Sequence, residues 1–265
     1  MYKVSRKTRP SFASGFARSS AEAENPGLWK DCIFHWDASL GVTGQRAVDV
    51  SGKKNHGTFY NMDGDNWVPS PNGWAINVDA DLELVKLPIK INPALPYTFS
   101  CLRRWPAISG SHADGCRSAT NRFYVGIYSG TKAFVGVGNT FSTTVNHGMS
   151  ASVWYRITLI CDGSKAYFYR DSTLVTSFNY TTAGEIPYPF WLGGMNKSNA
   201  IEDDNTGDMQ NVTLWKKALT SSELKQLCDD RWAMTRQRPR IFAVTSRQKR
   251  WPWQTRRQRR MTGAR

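Results

Sequence analysis

The sequence predicts an all-β protein, an antiparallel sandwich of two sheets with jelly-roll topology and one short C-terminal helix. Short apolar runs follow one another along about 200 residues, and frequent turn residues separate them. The chain is also rich in aromatic residues and glycine, which suit strands and tight turns. No apolar run approaches the ~20 residues of a membrane-spanning helix, so no transmembrane segment is expected.

Two hairpins are the clearest strand signals. Alternate residues of the run 153–161 are apolar, and the Asp-Gly pair at 162–163 leads into a second run at 166–169. Two β-rich runs joined through Asp-Gly predict a hairpin. Residues 123–128 and 133–137 form a similar pair around a Ser-Gly turn.

One helix is expected near the C-terminus. Residues 220–223, Thr-Ser-Ser-Glu, form a capping box, in which the Thr hydroxyl and the Glu carboxylate satisfy free backbone donors. Leu224 and Leu227 follow at helical spacing, and Pro239 ends any continuation of the helix.

The positive charge lies at the two ends of the chain. Residues 1–30 hold six Lys/Arg and two Glu, and residues 231–265 hold twelve Lys/Arg and no acidic residue, within a net charge of +14. The middle of the chain is close to neutral. We therefore expect a basic N-terminal arm at 1–27, a folded domain at 28–230 and a basic Trp/Arg-rich arm at 231–265.

The arms are predicted to bind partners through basic and aromatic side chains. Basic residues attract acidic surfaces over long range, and aromatic rings stack or fill pockets. A short arm segment around Phe242 also suits addition to the sheet edge of a neighbouring molecule. The predicted partner-binding residues are Arg6, Lys7, Arg9, Phe12, Phe16, Phe242, Lys249, Arg250, Trp251, Trp253, Arg256, Arg257, Arg259 and Arg260.

The five cysteines are odd in number and include no Cys-x-x-Cys pair. Cys101 and Cys161 lie in apolar strand-like runs, where a free thiol behaves as a small hydrophobic side chain. This usage indicates a protein made in a reducing compartment.

Five motifs in a fixed order resemble those of laminin-G-like, concanavalin A-like lectin jelly rolls. They are the Asp-Val-Ser-Gly-Lys-Lys-Asn-His-Gly-Thr run at 49–58, the strand at 74–79, the hairpin at 154–163, the Leu-Gly-Gly at 192–194 and the closing strand at 212–220. Within the first motif, the carboxylate of Asp49 is expected to form an Asx-turn.

The resemblance covers about residues 28–230 and implies two curved antiparallel sheets. Such domains commonly bind glycans or proteins, sometimes with calcium. Single-domain versions occur in bacteriophage virion proteins as well as in secreted proteins.

The acidic run at 79–83 has the alternating spacing that glucanases of this architecture use for catalysis. On a strand, however, neighbouring same-face positions lie about 7 Å apart, whereas a retaining pair of carboxylates needs about 5–5.5 Å. Asp79 also matches a non-catalytic position of the related domains. We therefore expect no catalytic residues and no enzymatic activity.

The domain offers candidates for two kinds of ligand site, each with a structural alternative: acidic clusters are more often solvated turns, and most tryptophans of a sandwich fill its core. Asp203, Asp204 and Asp208 form the densest acidic cluster and are candidate calcium ligands, because clustered carboxylates supply the oxygens that this ion needs. No other cofactor is expected. Trp67 and Trp105 are candidate glycan contacts, because they lie near loops or strand ends.

These observations predict a non-enzymatic structural protein of a phage virion, assembled in the host cytoplasm. It would be a capsid decoration or a tail-associated protein, present in several copies, held by its arms on other virion proteins and able to bind host glycans. One alternative is a secreted carbohydrate-binding module. Another is a nucleic-acid-associated protein that uses the basic arms, whose binding would weaken steeply with salt.

Overall fold

The computed structural model describes residues 15–79, 82–108, 111–128, 130–143, 145–202 and 206–238. Among these residues no helix is both long and apolar enough to cross a bilayer. In chain order the elements are α1 (Pro26–Trp29), β1 (Cys32–Trp36), a 3₁₀ helix (Ala38–Leu40), β2 (Arg46–Ala47), β3 (Gly57–Tyr60), β4 (Trp67–Ser70), β5 (Gly73–Val78), β6 (Leu84–Lys86), β7 (Tyr97–Arg104), β8 (Ser111–Arg117), β9 (Arg122–Tyr128), β10 (Lys132–Gly138), β11 (Thr140–Ser142), β12 (Tyr155–Cys161), β13 (Lys165–Arg170), β14 (Thr173–Asn179), β15 (Trp191–Leu192), β16 (Met195–Lys197), β17 (Ala200–Glu202), β18 (Gly207–Trp215) and α2 (Ser221–Asp229).

The strands form two sheets that face each other. Sheet I has the order β14-β13-β12-β7-β18-β5-β4, with β1 also paired to β18. Sheet II has the order β11-β10-β9-β8-β15-β6-β3-β2, with β16 beside β8 and β17 beside β16. All the described pairings are antiparallel except that of β16 with β8. The predicted all-β jelly-roll sandwich is therefore confirmed.

The main core lies between the sheets, and the alternation of β12 shows how the sequence builds it. Ile157, Leu159 and Cys161 are fully buried in this core. Val153, expected on the same face, precedes the strand and is exposed, so the strand begins two residues later than predicted. The turn after β12 needs a glycine, because Gly163 has a φ of +104°.

One ion pair crosses the core between the sheets. Arg103 on β7 donates its Nε–H to Oδ2 of Asp114 on β8 at 2.9 Å, and its Nη2 to Oδ1 of the same carboxylate. Both side chains are completely buried. The backbone N–H of Gly193 also donates to Asp114 Oδ1 at 2.8 Å. The Asp114 carboxylate therefore links β7, β8 and the segment at Gly193.

The outer face of sheet I is covered by α2, α1 and the ends of the described chain. Helix α2 begins at the predicted capping box, where Thr220 Oγ1 accepts from the Glu223 backbone and the Glu223 carboxylate accepts from the Thr220 backbone. Its apolar side packs into a second cluster of buried residues, called here the terminal cluster. Its members include Phe16, Leu28, Trp29, Trp215, Leu224, Leu227 and Met234.

The two ends of the described chain are paired with each other in this cluster. Residues 15–24 lie beside residues 233–238, where the N–H of Ala17 donates to the carbonyl oxygen of Thr235 at 3.0 Å and further backbone bonds follow. The folded unit therefore extends beyond residues 28–230 on both sides, and the two ends of the described chain lie close together.

Candidate functional site

A small cleft opens beside the β4–β5 hairpin at one edge of sheet I. It has a volume of about 240 Å³ and is lined by Val42, Gln45, Asp63, Trp67 and Trp74, together with two glycines. Trp74 at the start of β5 is 38% exposed and Val42 is 50% exposed. An apolar recess with an exposed indole and a few polar groups has the composition of a small-molecule site.

Trp67 forms a rigid wall of this cleft. Its ring packs against Trp36 at 6.4 Å and Phe59 at 6.0 Å between ring centroids, in the main core. Its Nε1–H donates to the carbonyl oxygen of Gly44 at 3.1 Å, which ties the 41–45 loop to the hairpin. The indole is therefore held in place by packing and by a hydrogen bond before any ligand arrives.

The polar rim is held by a network of side chains. The Asp63 backbone N–H donates to Asn66 Oδ1 at 2.7 Å, and Asp63 Oδ1 accepts from the Asp65 backbone at 2.9 Å. Asn66 Nδ2 in turn donates to the carbonyl oxygen of Asn77 at 2.9 Å and to Glu83 Oε2 at 3.0 Å. The loop that carries the Asp63 carboxylate is thus fixed to β5.

The acidic residues Asp79 and Glu83 lie behind this loop. Loss of hydration and the neighbouring charge of Glu83 raise the pKa of the Asp79 carboxyl. Such shifts also occur at catalytic acids. Here, however, Glu83 Oε2 accepts from the Asp79 backbone at 3.0 Å and from Asn66, so it stabilises its own loop. Asp81, the middle member of the acidic run, lies outside the described residues.

A larger groove of about 640 Å³ lies beside the terminal cluster. Its lining includes Trp29, Asp31, Lys53, Asn55 and Lys216. Neither lysine has an ion-pair partner among the residues that the structure describes. Because two ammonium groups face one carboxylate, the groove can attract an anionic ligand.

One wall of the larger groove is organised by Asp49, and the expected Asx-turn is present. Asp49 Oδ1 accepts from the backbone of Ser51 at 2.8 Å and of His35 at 3.0 Å, and Oδ2 accepts from the backbone of Asn55 at 2.9 Å. Because both of its oxygens accept hydrogen bonds from backbone N–H groups, the Asp49 carboxylate fixes the conformation of the loop, as the predicted Asx-turn requires.

The two tryptophans predicted to contact a glycan lie in different environments. Trp67 lines the cleft, although only 8% of its surface is exposed. Trp105 is 1% exposed and belongs to the main core, where a ligand in solution does not reach it. Trp74, the most exposed indole of the cleft, is not among the predicted glycan contacts, because a Trp in a strand has the same sequence signature whether it faces solvent or core.

The predicted calcium ligands are only partly described. Asp203 and Asp204 lie outside the described residues. Asp208 Oδ1 accepts from Asn77 Nδ2 at 2.8 Å and its carboxylate pairs with Arg104, so it already has partners. No group of three His, Cys, Asp or Glu residues suited to a metal occurs in the described part of the chain. A calcium site stays a prediction.

Of the predicted partner-binding residues, the structure describes only Phe16. Its side chain is 2% exposed, lies in the terminal cluster and has the Arg18 guanidinium 5.0 Å from its ring centroid. Phe16 therefore anchors the arm to its own domain. The other predicted arm residues lie outside the described residues.

The family model of the Laminin_G_3 domain, described as the concanavalin A-like lectin/glucanases superfamily, matches residues 85–225. This match covers the strands from β6 to β18 and the first half of α2. No curated protein sequence matches the chain.

Several solved structures are similar to it in fold. One is the binding domain of Paraclostridial Mosquitocidal Protein 1, with 14% identity, a TM-score of 0.54, and coverage of 76% of this chain and 52% of that one. Another is a Trypanosoma rangeli sialidase in complex with sialic acid, with 15% identity, a TM-score of 0.56, and coverage of 75% of this chain and 33% of that one.

A third is Domain 4 of AbnA, a GH43 extracellular arabinanase from Geobacillus stearothermophilus, in complex with arabinotriose. Its identity is 14% and its TM-score is 0.55, with coverage of 75% of this chain and 98% of that one. The chain thus spans about half and a third of the first two structures but nearly all of the third. At these identities the likeness establishes the fold alone.

Proposed function

Because the chain belongs to the concanavalin A-like lectin/glucanases superfamily, we propose that it is a non-catalytic glycan-binding module. A sugar ring would bind in the small cleft beside the β4–β5 hairpin, called here the Trp67–Trp74 cleft. The observation that carries this proposal is the exposed Trp74 beside the Asp63 carboxylate, in a recess whose loops are already fixed. The apolar face of a sugar ring would lie against the indole. Its hydroxyl groups would donate to Asp63 and exchange hydrogen bonds with the Gln45 amide.

The size of the cleft suggests how much of a glycan it takes. Its 240 Å³ is below the ~300–1,000 Å³ typical of sites for drug-sized ligands, so one ring would enter and the rest of the glycan would lie outside. At about −0.3 kcal/mol per non-hydrogen atom, the ~12 such atoms of a hexose contribute about −4 kcal/mol, a Kd of about 1 mM. Binding of this strength becomes useful when several copies engage one surface.

The comparisons support glycans as the ligand class. Domain 4 of AbnA, of which the chain covers nearly the full length, was solved with arabinotriose. The absence of catalysis is part of the proposal, because Glu83 is hydrogen-bonded to its own loop. Incubation with the bound glycan should release no reducing sugar.

The test is a glycan array with the full chain, followed by calorimetry with the best ligand and with arabinotriose. Trp74→Ala should weaken binding at least about tenfold, the equivalent of losing one stacking contact of about 1.4 kcal/mol. Phe141→Ala is the matched control, since Phe141 is 54% exposed but lies on sheet II. Equal affinities of the wild-type chain and the Trp74→Ala variant would refute the cleft as the site.

The groove beside the terminal cluster provides a second control. If Lys53→Ala and Lys216→Ala together abolish glycan binding while Trp74→Ala does not, the ligand is acidic and sits in the larger groove. That outcome would keep the glycan-binding function and reject the Trp67–Trp74 cleft.

A specific observation favours a second function, the anchoring of this module on a multi-copy particle. The pairing of residues 15–24 with residues 233–238 holds the two ends of the described chain close together. Beyond this pair, residues 1–14 carry four Lys/Arg and residues 239–265 carry nine, with no acidic residue in either. Such a concentration of charge suits a strongly acidic partner.

The finer proposal is therefore a phage virion protein, a capsid decoration or tail-associated component assembled in the host cytoplasm and held by its arms. Capture experiments would compare the full chain with a variant in which Arg256, Arg257, Arg259 and Arg260 are changed to Gln. Capsid or tail proteins captured by the wild-type chain, and lost in the variant, would support anchoring. Capture of nucleic acid alone, released by salt, would favour the nucleic-acid alternative.

A further inference from the structure

Two edge strands of the described sandwich lie off the main sheet paths. Strand β17 has three residues, and the free side of β1 is occupied by the 49–55 loop through His35 N–H to Asp49 Oδ1 and Asn55 Nδ2 to the carbonyl oxygen of Ile33. The main paths end in four further edge strands, and three of these are poor templates for further pairing. In sheet II, β2 has two residues and β11 has three. In sheet I, β4 has four residues and contains Pro69, which has no N–H to donate. Short strands and proline are devices by which natural proteins protect sheet edges.

The fourth edge strand, β14, lacks this protection. It has seven residues, Thr-Leu-Val-Thr-Ser-Phe-Asn, with neither a charge nor a proline. Its described backbone pairs are all with β13, so its other side is open among the residues that the structure describes. Leu174 is 49% exposed, and Val175 and Phe178 are only partly covered where they pack against the core.

We propose that β14 accepts residues 241–246 of a second copy of this chain as an additional antiparallel or parallel strand. This segment, Ile-Phe-Ala-Val-Thr-Ser, is the longest uncharged run after residue 238 and is rich in residues that favour strands. Arg240 and Arg247 bound it on either side. Main-chain hydrogen bonds along the open edge supply the affinity, and side chains of the segment cover Leu174.

The distance along sheet I indicates that the added strand comes from a second copy of the chain and not from the same copy. Residue 238 pairs with residue 22, whose N–H donates to the carbonyl oxygen of Ser19. Ser19 and Ser20 line the larger groove together with Cys32 and Ile33 of β1, on the side of β18 that faces away from β14. From β18 to β14 there are four inter-strand steps, which amount to about 19 Å at ~4.8 Å each. The three residues from 238 to 241 span at most about 11 Å. Residue 241 therefore does not reach the β14 edge of its own chain.

The contact is head-to-tail, because the tail of one copy meets the edge of the next. A heterologous contact of this kind generates a ring or an open row of copies, whereas two paired β14 edges would form a closed dimer. The inference is independent of the glycan proposal, since no residue of the Trp67–Trp74 cleft takes part. A row of weak glycan-binding clefts would nevertheless gain avidity.

The experiment uses two full-length variants, each of which disables one half of the contact. The edge variant, Leu174→Lys with Ser177→Lys, places charges on two exposed β14 residues that would face a segment bounded by arginines. The tail variant, Val244→Pro, removes a donor from the added strand. The matched controls are Leu95→Lys with Val153→Lys, which adds the same charge at other exposed apolar positions, and Gln248→Pro, which lies in the same arm outside the segment.

Analytical ultracentrifugation should show the mass of the wild-type chain and of both controls rising with concentration, while each variant alone stays a monomer. A 1:1 mixture of the edge and tail variants should form a dimer and grow no further, since it contains one intact edge and one intact tail. A tail variant that still dimerises would overturn the proposal in favour of paired β14 edges. So would a wild-type chain that is still monomeric at about 100 μM, a concentration at which any contact with a Kd of ~1 μM would be almost fully formed.

Discussion

The buried ion pair between Arg103 and Asp114 offers a direct test of how the two sheets are held together. Asp114→Asn keeps the shape of the side chain and an oxygen that can accept from the Gly193 N–H. It removes the negative charge opposite Arg103, whose guanidinium is completely buried. Breaking a buried pair by removal of one partner costs about 3–5 kcal/mol, because the remaining charge is uncompensated.

Thermal unfolding measures this cost. For a domain of this size, 1 kcal/mol lowers Tm by about 2–4 °C, so Asp114→Asn should lower Tm by roughly 6–20 °C. Asp229→Asn is the matched control. Its pair with Lys225 has side chains that are 70% and 61% exposed, so solvent screens the two charges and Asp229→Asn should leave Tm nearly unchanged.

A second substitution separates the charge from the packing. Arg103→Met combined with Asp114→Asn removes the uncompensated cation and fills most of its volume with an apolar side chain. Buried ion pairs can be replaced by apolar groups at little net cost, so the double variant should be more stable than Asp114→Asn alone by at least about 2 kcal/mol. A loss below about 1 kcal/mol for Asp114→Asn, or a double variant no more stable, would refute the assigned role.

Three further predictions concern stability and reactivity. Thr220→Ala removes one half of the capping box of α2 and should cost about 1 kcal/mol, a fall in Tm of about 2–4 °C; an unchanged Tm would contradict it. Burial lowers the pKa of His35 to about 4, below the unfolded value of about 6.5, so the unfolded chain takes up a proton first as the pH falls. The unfolding free energy should therefore drop by about 2 kcal/mol more from pH 7 to pH 5 in the wild type than in His35→Gln, and equal drops in denaturant titrations would exclude this role. Ellman's reagent should label Cys228 alone in the native state, because the other four thiols are buried; labelling of a second thiol before unfolding would contradict the described packing.

The features that could be predicted from the sequence are those that depend on residues close together in the chain. The alternation in β12 and the Asp-Gly turn after it depend on neighbouring residues, and so does the capping box at Thr220. The sandwich followed from many such local signals together with the order of five motifs. The residue at which a strand begins depends also on its partner strand. Val153 lies outside β12 because the pairing with β7 starts at Tyr155.

The features that the sequence did not predict depend on contacts between distant segments. Arg103 and Asp114 both occupy strands, where a charged residue is usually expected to face solvent. Their pairing follows only once β7 and β8 are known to lie in opposite sheets. Phe16 was expected to contact a partner protein, whereas it is buried in the terminal cluster, several members of which, such as Leu224, Leu227 and Met234, are more than 200 residues away in sequence.

The pairing of the chain ends also has a consequence for the order in which the protein is made. Trp29 Nε1 donates to the carbonyl oxygen of Met234, 205 residues later, and Arg238 Nε donates to that of Ala23, 215 residues earlier. At ~5–20 residues per second, the ribosome needs about 10–40 s to synthesise the segment that completes these contacts. During that time Trp29 and Phe16 lack the residues that bury them. A chain released too early therefore carries an exposed apolar patch by which chaperones and proteases can distinguish it from a finished one.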